Sequence, residues 1–142
     1  MKKISLTIAL GFCLAIVACA QKINASKVPA VVKASFNAAY PGAAAKWEKE
    51  DGNYEVNFKN GGRAMSAVMM PNGSIIETET DINISELPVK AAAYVQEHYP
   101  GKQIKEASKI VTADRSINYE ARVDGKDLIF DADGKFIKEI KG

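Results

Sequence analysis

His98 is the only histidine among the 142 residues, and a lone histidine can serve as a general base or a metal ligand. Either role needs company. No Ser or Cys nucleophile with a motif around it accompanies His98. It falls instead in the last turn of a helical pattern, where the helix dipole favours a cation. The run Asp131-Ala132-Asp133-Gly134 has the look of a calcium loop. Setting Gly134 at the sixth loop position puts Ile129 first and Ile140 twelfth, and both of those positions must supply oxygen. The run therefore reads as a turn. Glu48, Glu50 and Asp51 could be imagined as paired carboxylates for acid–base work. They interleave with Lys46 and Lys49 and read as a solvated, charge-mixed strand end. No catalytic, cofactor-binding or metal-ligating set can be assembled from these residues.

Trp47 and two apolar strands point toward binding rather than reaction. Trp47 shares a strand face with Ala45, opposite Lys46, Glu48 and Glu50. Core packing is its default reading, yet the residue 59 positions later is Glu106, an unusual occupant of a core slot. Further on, Ala67 and Met69 alternate with Val68 and Met70, and Leu128 and Phe130 alternate with Ile129. Both faces of these strands are apolar, so a helix on one side leaves the other set uncovered. That set either packs parts of the molecule together or forms a partner surface, a use to which Met-rich patches are suited. Trp47, Val68, Met70 and Ile129 are the candidate interaction surface.

The elements that would position these residues are written twice. Val28-Pro29 followed by Tyr40-Pro41-Gly42 returns as Leu87-Pro88 followed by Tyr99-Pro100-Gly101, with an offset of 59 at both ends. Tyr54-Glu55-Val56 answers to Tyr119-Glu120-Ala121, and Asn72-Gly73 to Asp133-Gly134. A recurrent period signals copies of one supersecondary unit. Within each, a Ser (Ser26, Ser85) is placed to cap a helix with Pro in its first turn. Apolar residues at 28, 32, 36, 39 and 40 form one helical face, and the Tyr-Pro-Gly triplet ends it. The period then changes from 3.6 to 2. Strands are expected over 45–50, 54–59, 63–70 and 74–79, and over 103–111, 117–123, 126–130 and 135–140. The expected fold class is α+β, as two tandem repeats, each one helix followed by a four-stranded antiparallel β-meander. The expected boundaries are a linker over 21–25, a first repeat over 26–82 and a second over 83–142.

Residues 1–20 read as a targeting leader. Met1-Lys2-Lys3 is a basic start, and Ile4 to Val17 is an apolar stretch too short to span a bilayer comfortably. Two endings stay open. Ala18-Cys19-Ala20 suits signal-peptide cleavage, whereas Ile16-Val17-Ala18-Cys19 resembles a lipobox that ends the leader at residue 18 and lipidates Cys19. Either way the chain is exported, to the periplasm or to a lipid anchor on the envelope. Without its leader it keeps no thiol, hence no disulfide or thiolate metal site. Lys2 and Lys3 leave with the leader, so 17 of the 19 basic residues remain against 17 acidic ones. A balanced chain without a basic block is a poor ligand for nucleic acid. No segment after Gln21 is apolar enough to cross a membrane.

The Val-Pro helix, the Tyr-Pro-Gly triplet and the run Lys46-Trp47-Glu48-Lys49-Glu50-Asp51-Gly52-Asn53-Tyr54-Glu55-Val56 resemble the PepSY-like family of secreted bacterial domains. Asn118-Tyr119-Glu120 and Phe130-Asp131-Ala132-Asp133-Gly134-Lys135 carry the same resemblance. That family is itself described as similar to the beta-lactamase inhibitor protein. The resemblance implies roles in binding or inhibiting other proteins and brings no catalytic motif. The expected function is therefore a non-catalytic secreted binding module of the cell envelope, with an unidentified envelope protein as partner and no cofactor. The alternative is an envelope protein that binds a small ligand or a metal.

Overall fold

The computed structural model describes residues 20–141. The expected leader, apart from Ala20, and the Cys19 lipidation site lie outside the described residues. Strand β1 (Gln21–Ile23) leads into a 3-10 turn (Ala25–Lys27) and helix α1 (Ala30–Ala39), and strands β2 (Lys46–Glu50), β3 (Asn53–Asn60), β4 (Arg63–Met69) and β5 (Ile75–Ile82) follow. A second 3-10 turn (Ile84–Glu86) and helix α2 (Val89–His98) precede β6 (Ile104–Thr112), β7 (Ile117–Val123), β8 (Lys126–Asp131) and β9 (Phe136–Lys141).

Capping explains the start of both helical segments. Asn24 Oδ1 accepts a hydrogen bond from the Ser26 amide at 3.1 Å. Asn83 and Glu86 form a capping box, in which Glu86 Oε2 accepts from the Asn83 amide at 2.8 Å. Ser26 and Ser85 therefore lie inside the 3-10 turns. Pro29 and Pro88 are the residues from which α1 and α2 begin.

The expectation of two tandem units, each a helix with its own four-stranded meander, is overturned. All nine strands form one antiparallel sheet in the order β1 to β9. The join is β5 against β6, from Glu77↔Thr112 to Ile82↔Ala107. A separate meander would leave a row of amides and carbonyls unpaired along each of these strands. Pairing them satisfies both rows and removes two edges. β5 runs on to Ile82 rather than stopping at Glu79, which gives this join its six paired positions. Gln21–Ile23, expected as linker, pairs as β1 along β2, placing Ile23 opposite Trp47.

The two helices lie on the same face of this sheet, each over its own core. Under α1, Val32 and Phe36 meet Trp47, Val56, Phe58, Ala67 and Met69. Under α2, Ala91 and Val95 meet Ala121, Val123, Leu128 and Phe130. Two hairpin turns close against the helices. Ser35 Oγ donates to the Gly73 carbonyl at 2.7 Å. Gly134 sits so near α2 that a Cβ there would stand 2.7 Å from Pro88 Cβ and 2.9 Å from the Ala91 amide nitrogen. Its φ is +83°, which L-residues rarely adopt.

Gly134→Ala should therefore cost about 2–4 kcal/mol, the sum of backbone strain and overpacking. Gly125→Ala, at φ +77° but facing open space, carries the strain alone and serves as its control in thermal melts. Equal losses in the two variants would mean the turn does not press on α2.

Candidate functional site

Among the described residues, no helix lies on the opposite face of the sheet. Strand alternation and register place on it Glu48 and Glu55, Val68 and Glu77, Glu79 and Ile110, Ser108 and Glu120, and Ile129. Arg122 and Asp127 face each other there too. This face is concave where residues of β2 to β6 line one groove on it, and the charge of Lys138 on β9 acts to lower the pKa of Glu77 on β5.

The face is acidic, and its carboxylates are poorly solvated. Glu55, Glu77, Glu79, Glu120 and Asp127 are buried, Glu120 to 1% exposure. Burial first, then the neighbouring charge of Glu55, pushes Glu77 to about 7. Glu79 is raised by burial, with Glu77, Asp81 and Glu55 adding to the effect, while the Ser108 hydroxyl partly offsets it. Glu120 is held well above the usual carboxylate range by burial and by Glu79, Asp127 and Glu77, against a lowering from Arg122. Buried carboxylates close together resist ionising for both reasons. Arg122 lies among them in ion-pair range, with Nε 3.5 Å from Asp127 Oδ1 and Nη1 3.9 Å from Glu106 Oε2. Among the described residues, Glu120 Oε2, Arg122 Nη1 and Asp127 Oδ1 are buried with no hydrogen-bond partner.

A groove of about 940 Å³ opens at one end of this face, where the β3–β4 hairpin, the end of β5 and the start of β6 meet. Lys46, Asn57, Ser66, Glu79 and Asp81 line it. Its lining mixes these polar groups with apolar ones such as Phe58, Met65 and Ile82, and its volume is that of a ligand site.

Of the candidate interaction residues, Val68 and Ile129 stand on the helix-free face, Val68 half-buried and Ile129 4% exposed. Met70 follows the end of β4 and is 40% exposed. Trp47 lies on the other side, in the α1 core, edge-on to Phe36 at 5.5 Å. His98 stacks on Tyr94 at 3.9 Å, with Nδ1 placed 3.0 Å from the Tyr94 carbonyl. Asp131 Oδ1 accepts from the amides of Asp133 and Lys135 at 3.0 and 2.9 Å, which makes it the closing group of a turn. Glu48 departs from the solvated strand end expected of it. It is 2% exposed, because its strand partner is Glu55 on the concave face. The central carboxylates Glu77, Glu79, Asp81 and Glu120 were missed by motif reading. Their signal was the alternation of Glu77, Glu79 and Asp81, which places three acids on one strand face.

The sequence model of beta-lactamase-inhibitor-like, PepSY-like proteins matches residues 15–77 and, overlapping them, 53–138. The chain belongs to this family. Solved structures share the fold of this PepSY-like protein. A protein from Bacteroides eggerthii described as periplasmic superposes with a TM-score of 0.72 at 15% identity, covering 79% of this chain and 87% of the other. A DUF2874 family protein from Bacteroides uniformis gives 0.71 at 18% identity, over 78% and 87%. A BLIP-like protein from Bacteroides fragilis gives 0.65 at 23% identity, over 78% and 84%. Comparison with curated proteins gives no match. Among the described residues, no helix is long and apolar enough to cross a membrane.

Proposed function

We propose that this PepSY-like protein is a non-catalytic binding module of the cell envelope that holds another protein on the concave face of its sheet. Val68 carries this reading, as a half-buried apolar side chain set between Glu55 and Glu77 on a face that neither described helix covers; Ile110 and Ile129, at 0% and 4% exposure, are packed within that face. Apolar groups ringed by polar ones are the composition of a protein interface. Export is supported by the leader pattern and by the periplasmic description of the Bacteroides eggerthii relative. Inhibition of the bound protein is the mode that the family's name suggests. A second reading, capture of a small ligand, is favoured by the groove at the end of the same face.

The test is photo-crosslinking in cells from position 68, which lies on the concave face between Glu55 and Glu77. One protein recovered in stoichiometric yield is the expected result. Recovery of only abundant proteins in trace yield would sink the reading and move the weight to the small ligand.

A further inference from the structure

The carboxylates at the groove are arranged around one hydroxyl. Ser108 on β6 is 1% exposed. It pairs with Asp81 on one side and Glu120 on the other, and its hydroxyl bonds to Glu79. Glu79 and Asp81 line the groove, and Glu120 stands one strand behind. Three acids thus converge where the groove meets the centre of the face. Lys46, Lys59 and Lys105 also line the groove; the charges of Glu77, Asp81 and Glu55 push Glu79 upward, and that of Glu106 pushes Asp81 upward. Arg122 forms ion pairs with Asp127 and Glu106 at 3.5 and 3.9 Å, and its Nη1 is itself buried with no hydrogen-bond partner among the described residues. Glu120 meanwhile keeps a buried oxygen with no hydrogen-bond partner, and such an atom costs free energy until a donor reaches it.

We infer that the groove receives one basic side chain, a lysine or arginine of the bound protein, whose charge sits against Glu79 and Asp81 with Glu120 as the carboxylate behind them. The inference rests on the reading of the protein as a protein-binding module and adds the chemistry of the partner. An ammonium or guanidinium supplies only donors, and Glu120 Oε2 has none among the described residues. Its charge favours their ionised forms, so binding releases protons and strengthens as pH rises from 5 to 8.

The probe is the blocked tripeptide acetyl-Leu-Arg-Leu-amide, with acetyl-Leu-Gln-Leu-amide as its neutral twin, titrated into the protein and followed by backbone amide NMR. The arginine peptide should saturate shifts at residues 79, 81, 108 and 120, and the glutamine peptide should not. The paired substitutions E79Q and E120Q should weaken the arginine peptide by at least tenfold and remove the pH dependence, with the spectrum otherwise intact. Equal binding of the two peptides, no binding of either, or unchanged binding by the double variant would each overturn the inference. A stoichiometric crosslink from position 68 that survives E79Q and E120Q would leave the binding module standing while this inference falls. Loss of that crosslink in the double variant supports it.

Discussion

Phe36→Ala lowers the unfolding free energy by about 3–5 kcal/mol, the range for emptying a buried aromatic site. Phe36 is 1% exposed. Its ring packs edge-on to Trp47 at 5.5 Å and to Phe58 at 5.0 Å, and meets Tyr40 at 5.7 Å. Removing the ring leaves a gap bordered by all three of these aromatic side chains. A domain of this size holds about 5–15 kcal/mol in all, so the loss is a large share. The location of the loss is as informative as its size. If the sheet folds as one unit through the β5–β6 pairing, the variant loses hydrogen-exchange protection in β6–β9 as much as in β2–β4. Two autonomous units would confine the loss to the strands beneath α1. Urea melts of Phe36→Ala, with exchange read strand by strand, separate the two outcomes.

That distinction marks where the sequence stops being legible. The helices, their Pro starts, their Tyr-Pro-Gly ends and most strand positions follow from local rules, because caps, turns and periodicity act over a few residues. The pairing of β5 with β6 is a contact across a helix. Nothing in Ile75–Ile82 announces which strand will lie beside it, so the chain reads as two meanders although it folds as one sheet. The face assignment was within reach. Period-2 alternation already puts Glu77 and Glu79 with Val68, and Glu120 with Ile129. What could not be read was curvature. A flat sheet would have left these acids wet and ordinary. The groove that residues of β2 to β6 line together on this face is a property of the curl. Trp47 has core packing as its default reading and joins the candidate surface only through the Glu106 offset; it packs against Phe36.

The protein should be more stable at pH 5 than at pH 8, by about 3 kcal/mol. Glu77, Glu79, Glu120, Asp81 and Asp127 all have folded-state pKa values raised above the ordinary carboxylate values. A raised carboxylate favours folding while it is protonated. Its contribution is complete below the unfolded value and fades as pH climbs through the folded value, which for Glu77 means from 4.5 to about 7. The charges facing this group are Glu55 on β3, Glu106 on β6, Arg122 on β7 and Lys138 on β9. Only the last two oppose the trend, and Arg122 is shared with Asp127 and Glu106. Glu86, Asp114 and Glu139 have lowered values. Their contribution is lost on the acid side as pH falls through those values, which places the stability maximum near pH 5. Glu120→Gln should be nearly neutral at pH 5, where an amide replaces a protonated acid of the same shape. At pH 8 it should raise the urea midpoint and flatten the decline, because the group hardest to ionise is gone. Urea melts at intervals from pH 5 to 9, on the parent and on Glu120→Gln, measure both slopes. A parent midpoint that stays level or rises over that range would show that the concave face is open to water and its carboxylates ionise freely.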